Sequence, residues 1–380
     1  MIYKVSDNII SALGFSSQEN YQAVKAGKSQ LQLYENVFGI SEPFVASLLD
    51  NHKIDKEFAT LSNIGEKYTK LEKTAILSAS KALENSGIDP SNDNVLFIFS
   101  TTKGNVELLE RNDRFESERI HLWRSAELIA QFFKNKNEPI VVSNACISGV
   151  AAQITAARYL IAKRYQYIVV IGAEVLSKFI VSGFQSFKAL SSERCSPFDR
   201  NRTGLNLGEA AATVIYSVSD MDNLPPKSII FENGAICNDA NHISGPSRTG
   251  EGLFNAISKA MRHIDKENIS FINAHGTATS YNDDMESMAI GRYGLENVPV
   301  NSLKAYFGHT LGAAGIVETI ISMYALQENI ILKSLGTEEA GVVYPITINR
   351  EIMKSDKNAF LKLISGFGGS NAAMILKKNK

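Results

Sequence analysis

VVSNACISGVAAQITAARYL, residues 141–160, reads as an apolar strand end, a tight turn holding Cys146, and a helix rich in small residues. GHTLGAAGIVETIISMYAL at 308–326 repeats the arrangement, with His309 falling 163 positions after Cys146. A second echo joins LGEAAATVIY at 207–216 to GGSNAAMILK at 368–377, where Ala212 and Ala373 lie 161 positions apart. Two echoes at nearly one period predict two similar halves about a pseudo-two-fold axis. Outward from these stretches, strand patterns fall at 95–100, 140–143, 167–172, 212–216, 228–235, 269–274, 360–365 and 373–376. Helical patterns fall between them at 72–84, 126–133, 150–163, 252–261, 284–292 and 315–328. Strands alternating with helices predict an α/β protein with largely parallel, doubly covered sheets.

Composition narrows the function. The chain has 380 residues, 44% hydrophobic and 21% charged, as expected of a globular protein. Its 39 Lys+Arg against 40 Asp+Glu argue against a nucleic-acid binder, which carries a basic excess. Apolar runs such as 168–173 are strand-sized, far short of the roughly 20 residues that cross a bilayer. MIYKVSDNIISALG has no basic start followed by an apolar core, so no secretory signal is expected. Three cysteines, with no CxxC or Cys/His cluster, make neither a disulfide framework nor a zinc site. A cytoplasmic enzyme is the expectation.

Cys146 stands out among the candidate reactive groups. A cysteine between a strand and a helix start faces unpaired N–H groups and the positive end of the dipole, which favour a thiolate. Ala145, Ser148, Gly149, Ala151 and Ala152 around it are small and leave room for a substrate. Cys195 and Cys237 have no such setting and read as structural. His275, in NAHGTATSYND at 273–283, and His309, in KAYFGHTLGAAG at 304–315, follow apolar runs, at the strand ends where open α/β sheets place their sites. One cysteine and two such histidines are a candidate nucleophile with acid/base partners, though their spacing alone does not bring them together. His52, His121, His242 and His263 read as ordinary. SGFGGSN at 365–371 places Phe367 in a glycine-rich turn that fits no phosphate-binding pattern.

Taken together, NACISG around Cys146, PFDRNRTGLNLGEAA at 197–211, NAHGTATSYND, KAYFGHTLGAAG and GFGGSN resemble the elongating β-ketoacyl-acyl carrier protein synthases of the thiolase-like superfamily. The resemblance runs from about Thr101 to the C-terminus. It implies a five-layered αβαβα fold of two duplicated halves, here 1–217 with the nucleophile and 218–380 with the two histidines. Cys146 resembles the acyl-accepting nucleophile; His275 and His309 resemble the pair that binds the malonyl thioester carbonyl and assists decarboxylation. Lys304 resembles the lysine that sets the electrostatics near the second histidine, linked to a glutamate, here Glu318. Phe367 resembles the gating phenylalanine, whose N–H with that of Cys146 forms the oxyanion hole. Thr277 and Thr279 resemble the threonines that hold the phosphopantetheine arm.

The implied reaction is decarboxylative condensation of malonyl-acyl carrier protein with a cysteine-bound acyl chain, as in fatty-acid elongation. The same chemistry in a polyketide or aryl-polyene-type pathway, or in one subunit of a heterodimer, is the alternative. No metal or organic cofactor is implied, since the phosphopantetheine belongs to the carrier protein. The implied partners are the loaded acyl carrier protein and a second copy of the chain, with neither nucleic acid nor membrane. Pairing of the two copies is expected through 167–172, and carrier docking through Lys188 and lysines of the segment 67–73. The sequence departs from the family at its N-terminus, which lacks the apolar first strand and TGxG signature, and at Ser280, where the family often has proline. A degradative thiolase would carry a second cysteine in the C-terminal glycine-rich turn. An initiating synthase would pair its histidine with asparagine, and a chain-length partner subunit would lack Cys146.

Overall fold

The computed structural model describes residues 1–110 and 115–379. Among them, ten strands form the main sheet: β1 (Ile2–Ser11), β2 (Val95–Ser100), β3 (Ile140–Val142), β4 (Tyr167–Glu174), β5 (Ala210–Val218), β6 (Ile229–Asn238), β7 (Ile269–Asn273), β8 (Val300–Asn301), β9 (Ala359–Gly366) and β10 (Ser370–Lys378). Their order is β8-β7-β9-β10-β6-β1-β5-β4-β2-β3. From the central seam outward, β1-β5-β4 and β6-β10-β9 run antiparallel, and β4-β2-β3 and β9-β7-β8 run parallel. Each strand of the first half thus matches the strand five later in the second. The halves meet at one corner, where Ile2 and Tyr3 pair with Phe231 and Ile230.

Helices α1 (Ser17–Lys25), α2 (Asn51–Leu61), α3 (Lys70–Glu84), α4 (Leu122–Phe132), α5 (Ser148–Ile161), α6 (Lys178–Ser186), α7 (Glu251–Ala260), α8 (Ser280–Arg292) and α9 (Leu311–Gln327) complete the layers. α5 and α9 pack against each other between the half-sheets, while α3 covers the outer face of the first and α7 that of the second. The result is αβαβα about a pseudo-two-fold axis, and the two sequence echoes fall on α5/α9 and β5/β10. Small residues let the central helices touch. A Cβ on Gly315 would sit 2.6 Å from the Val150 backbone nitrogen, so only glycine permits this approach.

Two expectations are corrected. The N-terminus does form a first strand: β1 pairs with β5 from Ile2↔Val218 to Ser11↔Ala210 across a bulge at Lys4/Ser6. Its polar residues hid it, because they are satisfied by neighbours rather than by water. The Ser6 hydroxyl donates to the Ala82 carbonyl at 2.6 Å, and Asp7 pairs with Lys4 at 2.6 Å and accepts from Tyr324 at 3.3 Å. Nor can residues 167–172 join two copies, since β4 is internal. Val169 pairs with Phe97 on one side and Ile215 on the other. The all-apolar run reflects burial inside one chain. Of the two sheet edges, β8 is covered by residues 347–349, with Val300 N–H on the Thr347 carbonyl and Asn349 N–H on the Val300 carbonyl, both at 2.8 Å. The β3 edge pairs only with β2 among the described residues.

Candidate active site

Cys146 follows β3 and lies two residues before α5. The turn is tight: Ala145 adopts φ +45°, a region that costs a side-chain-bearing residue energy. The Ser148 hydroxyl holds it by accepting from Asn144 N–H at 2.8 Å and donating to the Ala145 carbonyl at 2.5 Å. Across the axis, β8 leads through a single turn at Lys304–Phe307 to His309, two residues before α9. His275 follows β7. The donor atoms of Cys146, His275 and His309 all lie within 4.8 Å of one another, and all three residues are buried. Among the described residues this is the one cluster whose ligand atoms are close enough to hold a metal ion.

The two imidazoles meet edge to face, with centroids 5.0 Å apart. His309 Nδ1 accepts the Leu311 N–H at 3.3 Å, which leaves the proton on Nε2, and Nε2 has no partner. His275 Nδ1 is likewise buried without a partner. Unsatisfied buried polar atoms are costly, and a pair of them beside a cysteine marks a place built for a ligand. Burial, followed by the charge of Lys304, pushes both imidazoles well below the ordinary histidine range. Both are neutral N–H donors at physiological pH.

Backbone contacts hold His275 in place. Glu286 on α8 accepts the His275 N–H at 2.7 Å and the Gly276 N–H at 2.6 Å, and Asp283 accepts the Thr277 N–H at 3.0 Å. Burial raises these carboxyls to about 7 for Glu286 and about 6 for Asp283, against the pull of those N–H groups. Cys146 departs from the thiolate expected at a helix start. Burial pushes its thiol up to about 11, against the opposing pull of Lys304, Lys103 and the Phe367 N–H. The resting protein therefore keeps a neutral thiol.

A cavity of about 480 Å³ opens onto this trio and is lined also by Thr277, Thr279 and Phe367. The two threonine hydroxyls share a 2.8 Å hydrogen bond. Phe367 lies between Phe184, stacked at 5.8 Å, and Phe187, edge-on at 5.3 Å. Its turn is tied to the nucleophile loop by Ser370, which donates to Asn144 at 2.8 Å. Lys304 and Glu318 do not line the cavity. They form a buried ion pair behind it, and the second Glu318 oxygen is taken by Lys362 at 2.5 Å. Burial pushes the Glu318 carboxyl up, but the two lysines outweigh it and hold it below the ordinary range.

Of the docking lysines, Lys188 is exposed at the cavity mouth. In the segment 67–73, Lys67 is exposed, Lys73 pairs with Asp55, and Lys70 is half-buried with its ammonium 2.6 Å from the fully buried Glu209 carboxylate. Cys195 and Cys237 lie outside the cavity. Sequence reasoning missed Lys362, Glu286 and Asp283. A lone lysine inside the apolar run AFLKLIS was the available signal for the first; Asp283 looks like an ordinary first-turn acid and Glu286 like an ordinary acid in the next turn of the helix.

A cysteine and two neutral imidazoles at one cavity, on a duplicated αβαβα fold, define the condensing-enzyme class. Residues 19–220 match the β-ketoacyl synthase N-terminal domain and residues 228–338 the C-terminal domain. The chain belongs to the β-ketoacyl synthase family. It is 32% identical over 253 residues to 3-oxoacyl-[acyl-carrier-protein] synthase 2 of Rhizobium meliloti (strain 1021), covering 62% of this chain and 60% of that protein. Two solved structures share the fold. A β-ketoacyl synthase from Burkholderia phymatum STM815 superposes with a TM-score of 0.89 at 23% identity, over 100% of this chain and 99% of the other. A ketosynthase (ApeO) in complex with its chain length factor (ApeC) from Xenorhabdus doucetiae gives 0.85 at 21% identity, over 100% and 98%.

Proposed function

We propose that this chain is a 3-oxoacyl-[acyl-carrier-protein] synthase that condenses malonyl-acyl carrier protein with an acyl group held on Cys146. The observation that supports the reading is the pair of unpartnered imidazole nitrogens beside Cys146 in one cavity. In the first half-reaction the Cys146 sulfur attacks the carrier thioester, forming the acyl-cysteine as the carrier thiol leaves with the cysteine proton. The Cys146 and Phe367 N–H groups hold the tetrahedral oxyanion.

In the second half-reaction, malonyl thioester binds with its carbonyl oxygen on His275 and His309. The bond to the carboxylate breaks, CO2 leaves, and the electron pair becomes an enolate. Neutral N–H donors already in position stabilise that charge without solvent reorganisation. The enolate carbon attacks the acyl-cysteine, and the C–S bond breaks to release the 3-oxoacyl product and a Cys146 sulfur that takes up a proton. Thr277 and Thr279 hold the pantetheine arm, and Phe367 gates the cavity. The reaction proceeds without metal or organic cofactor, so exhaustive chelation should leave the rate unchanged.

The acyl and malonyl groups arrive on an acidic carrier protein that docks near Lys188, the reaction is cytoplasmic, and two copies pair through the β3 edge. That edge carries three half-buried apolar residues, Ile140, Val141 and Val142, in the single chain. Sedimentation at low micromolar concentration should show a dimer; an active monomer refutes it. The activity is tested with acyl- and malonyl-carrier protein and intact-mass analysis. One acyl group should map to Cys146, and Cys146→Ala should abolish product. Label on Cys195 or Cys237 would overturn the assignment.

A further inference from the structure

Lys362 is a fully buried lysine in the middle of β9, paired across the sheet with Asn273 and Met374. Phe360 and Ile364, two residues to either side on the same face of the strand, belong to the core packed around α9. Lys362 therefore points inward at the central helix layer. Its ammonium reaches Glu318 Oε2 at 2.5 Å and the Leu363 carbonyl at 3.0 Å. The other Glu318 oxygen is already held by Lys304. One carboxylate thus carries two buried lysines. A single lysine would neutralise Glu318, and an apolar side chain would fill position 362 on this face, so the second ammonium is in excess of what local packing and pairing require.

We propose that Lys362 is a positioning residue of the decarboxylation half-reaction, fixing Glu318 and giving the buried Lys304–Glu318–Lys362 cluster a net charge of +1 behind the two histidines. The inference rests on the condensing reading and names a group that reading does not use. In a low-dielectric interior, one uncompensated positive charge acts on both histidines and on any anion formed against them. The field has two effects of the same sense. It disfavours an imidazolium at His275 and His309, both of which feel Lys304 and Lys362, and it favours the enolate. The charged and titratable groups facing the cluster are Glu286 from α8, the two histidines, and Cys146 and Cys195, which both feel Lys304. Burial lowers the Lys362 ammonium itself to about 8, which leaves it mostly charged at neutral pH.

The test uses Lys362→Met and Lys362→Gln alongside the unaltered chain. The cluster carries net zero in both variants. Three quantities are read on the full-length protein: decarboxylation of malonyl-carrier protein, acylation of Cys146, and the midpoints of the histidine titrations by NMR, which report the charge and not the packing. Both variants should raise the imidazole midpoints and slow decarboxylation by about tenfold, the effect of one pKa unit. Acylation should change by much less. Lys362→Gln retains a donor to Glu318, so the charge can be tested there if the methionine variant fails to fold. Unchanged midpoints, or equal loss of both half-reactions, overturn the inference. An unaltered chain that does not decarboxylate malonyl-carrier protein would refute the condensing reading instead, while the titration midpoints would still decide the role of the Lys362 charge.

Discussion

Replacing His309 by alanine separates the two half-reactions most sharply. His309 is 1% exposed, and its Nδ1 is committed to the Leu311 N–H, so its Nε2–H is a donor fixed toward His275 and the cavity. The substitution removes that donor and leaves the Leu311 N–H without its acceptor. The second loss costs about 1 kcal/mol of stability, small for a core of this size. In the proposed mechanism the first removes one of two donors to the enolate oxygen, and losing one preorganised oxyanion donor costs about 3–4 kcal/mol, or 10²–10³-fold in rate. In the proposed mechanism acylation uses a different pair of donors, the Cys146 and Phe367 backbone N–H groups, so it should fall by less than about tenfold. The assay measures CO2 release from malonyl-carrier protein and, separately, the mass shift of the protein with acyl-carrier protein alone. An equal fall in both rates would mean that His309 acts chiefly on the thiol, and the enolate argument would fail.

Other consequences follow from single contacts. Because burial raises the Cys146 thiol to about 11, its alkylation by iodoacetamide should climb about tenfold per pH unit through pH 9 and 10; a plateau near pH 7 would show that the helix start outweighs burial. Lys70→Glu should destabilise the fold by about 3 kcal/mol by placing a like charge on buried Glu209, lowering the denaturation midpoint; an unchanged midpoint with a raised KM for the carrier substrate would return Lys70 to the docking surface. Lys188→Glu should raise KM for carrier-bound substrate, more at low salt, and leave a pantetheine analogue unaffected. Gly315→Ala forces a Cβ to 2.6 Å from the Val150 nitrogen and should cost about 1–3 kcal/mol in chemical denaturation; full stability would contradict the tight α5–α9 contact.

The sequence by itself determined the duplicated α/β halves, because the repeated strand–turn–helix at Cys146 and His309 depends on local chemistry: an apolar strand, a tight turn, small residues opening a helix. It also singled out Cys146, His275 and His309, each at a strand end, and the fold brings the three together at one cavity. It did not disclose β1, whose Ser6 and Asp7 look like loop residues until Ala82, Lys4 and Tyr324 are seen to satisfy them. Nor could it tell an internal strand from an edge strand, because the run at 168–171 is equally apolar whether its neighbour is the same chain or another. The state of the thiol and the place of Lys362 were decided only in three dimensions. A helix start favours a thiolate wherever it occurs, but burial is set by everything packed around it, and here burial dominates. A lysine in a strand is ordinary until α9, 44 positions away in the chain, brings Glu318 to within 2.5 Å of it.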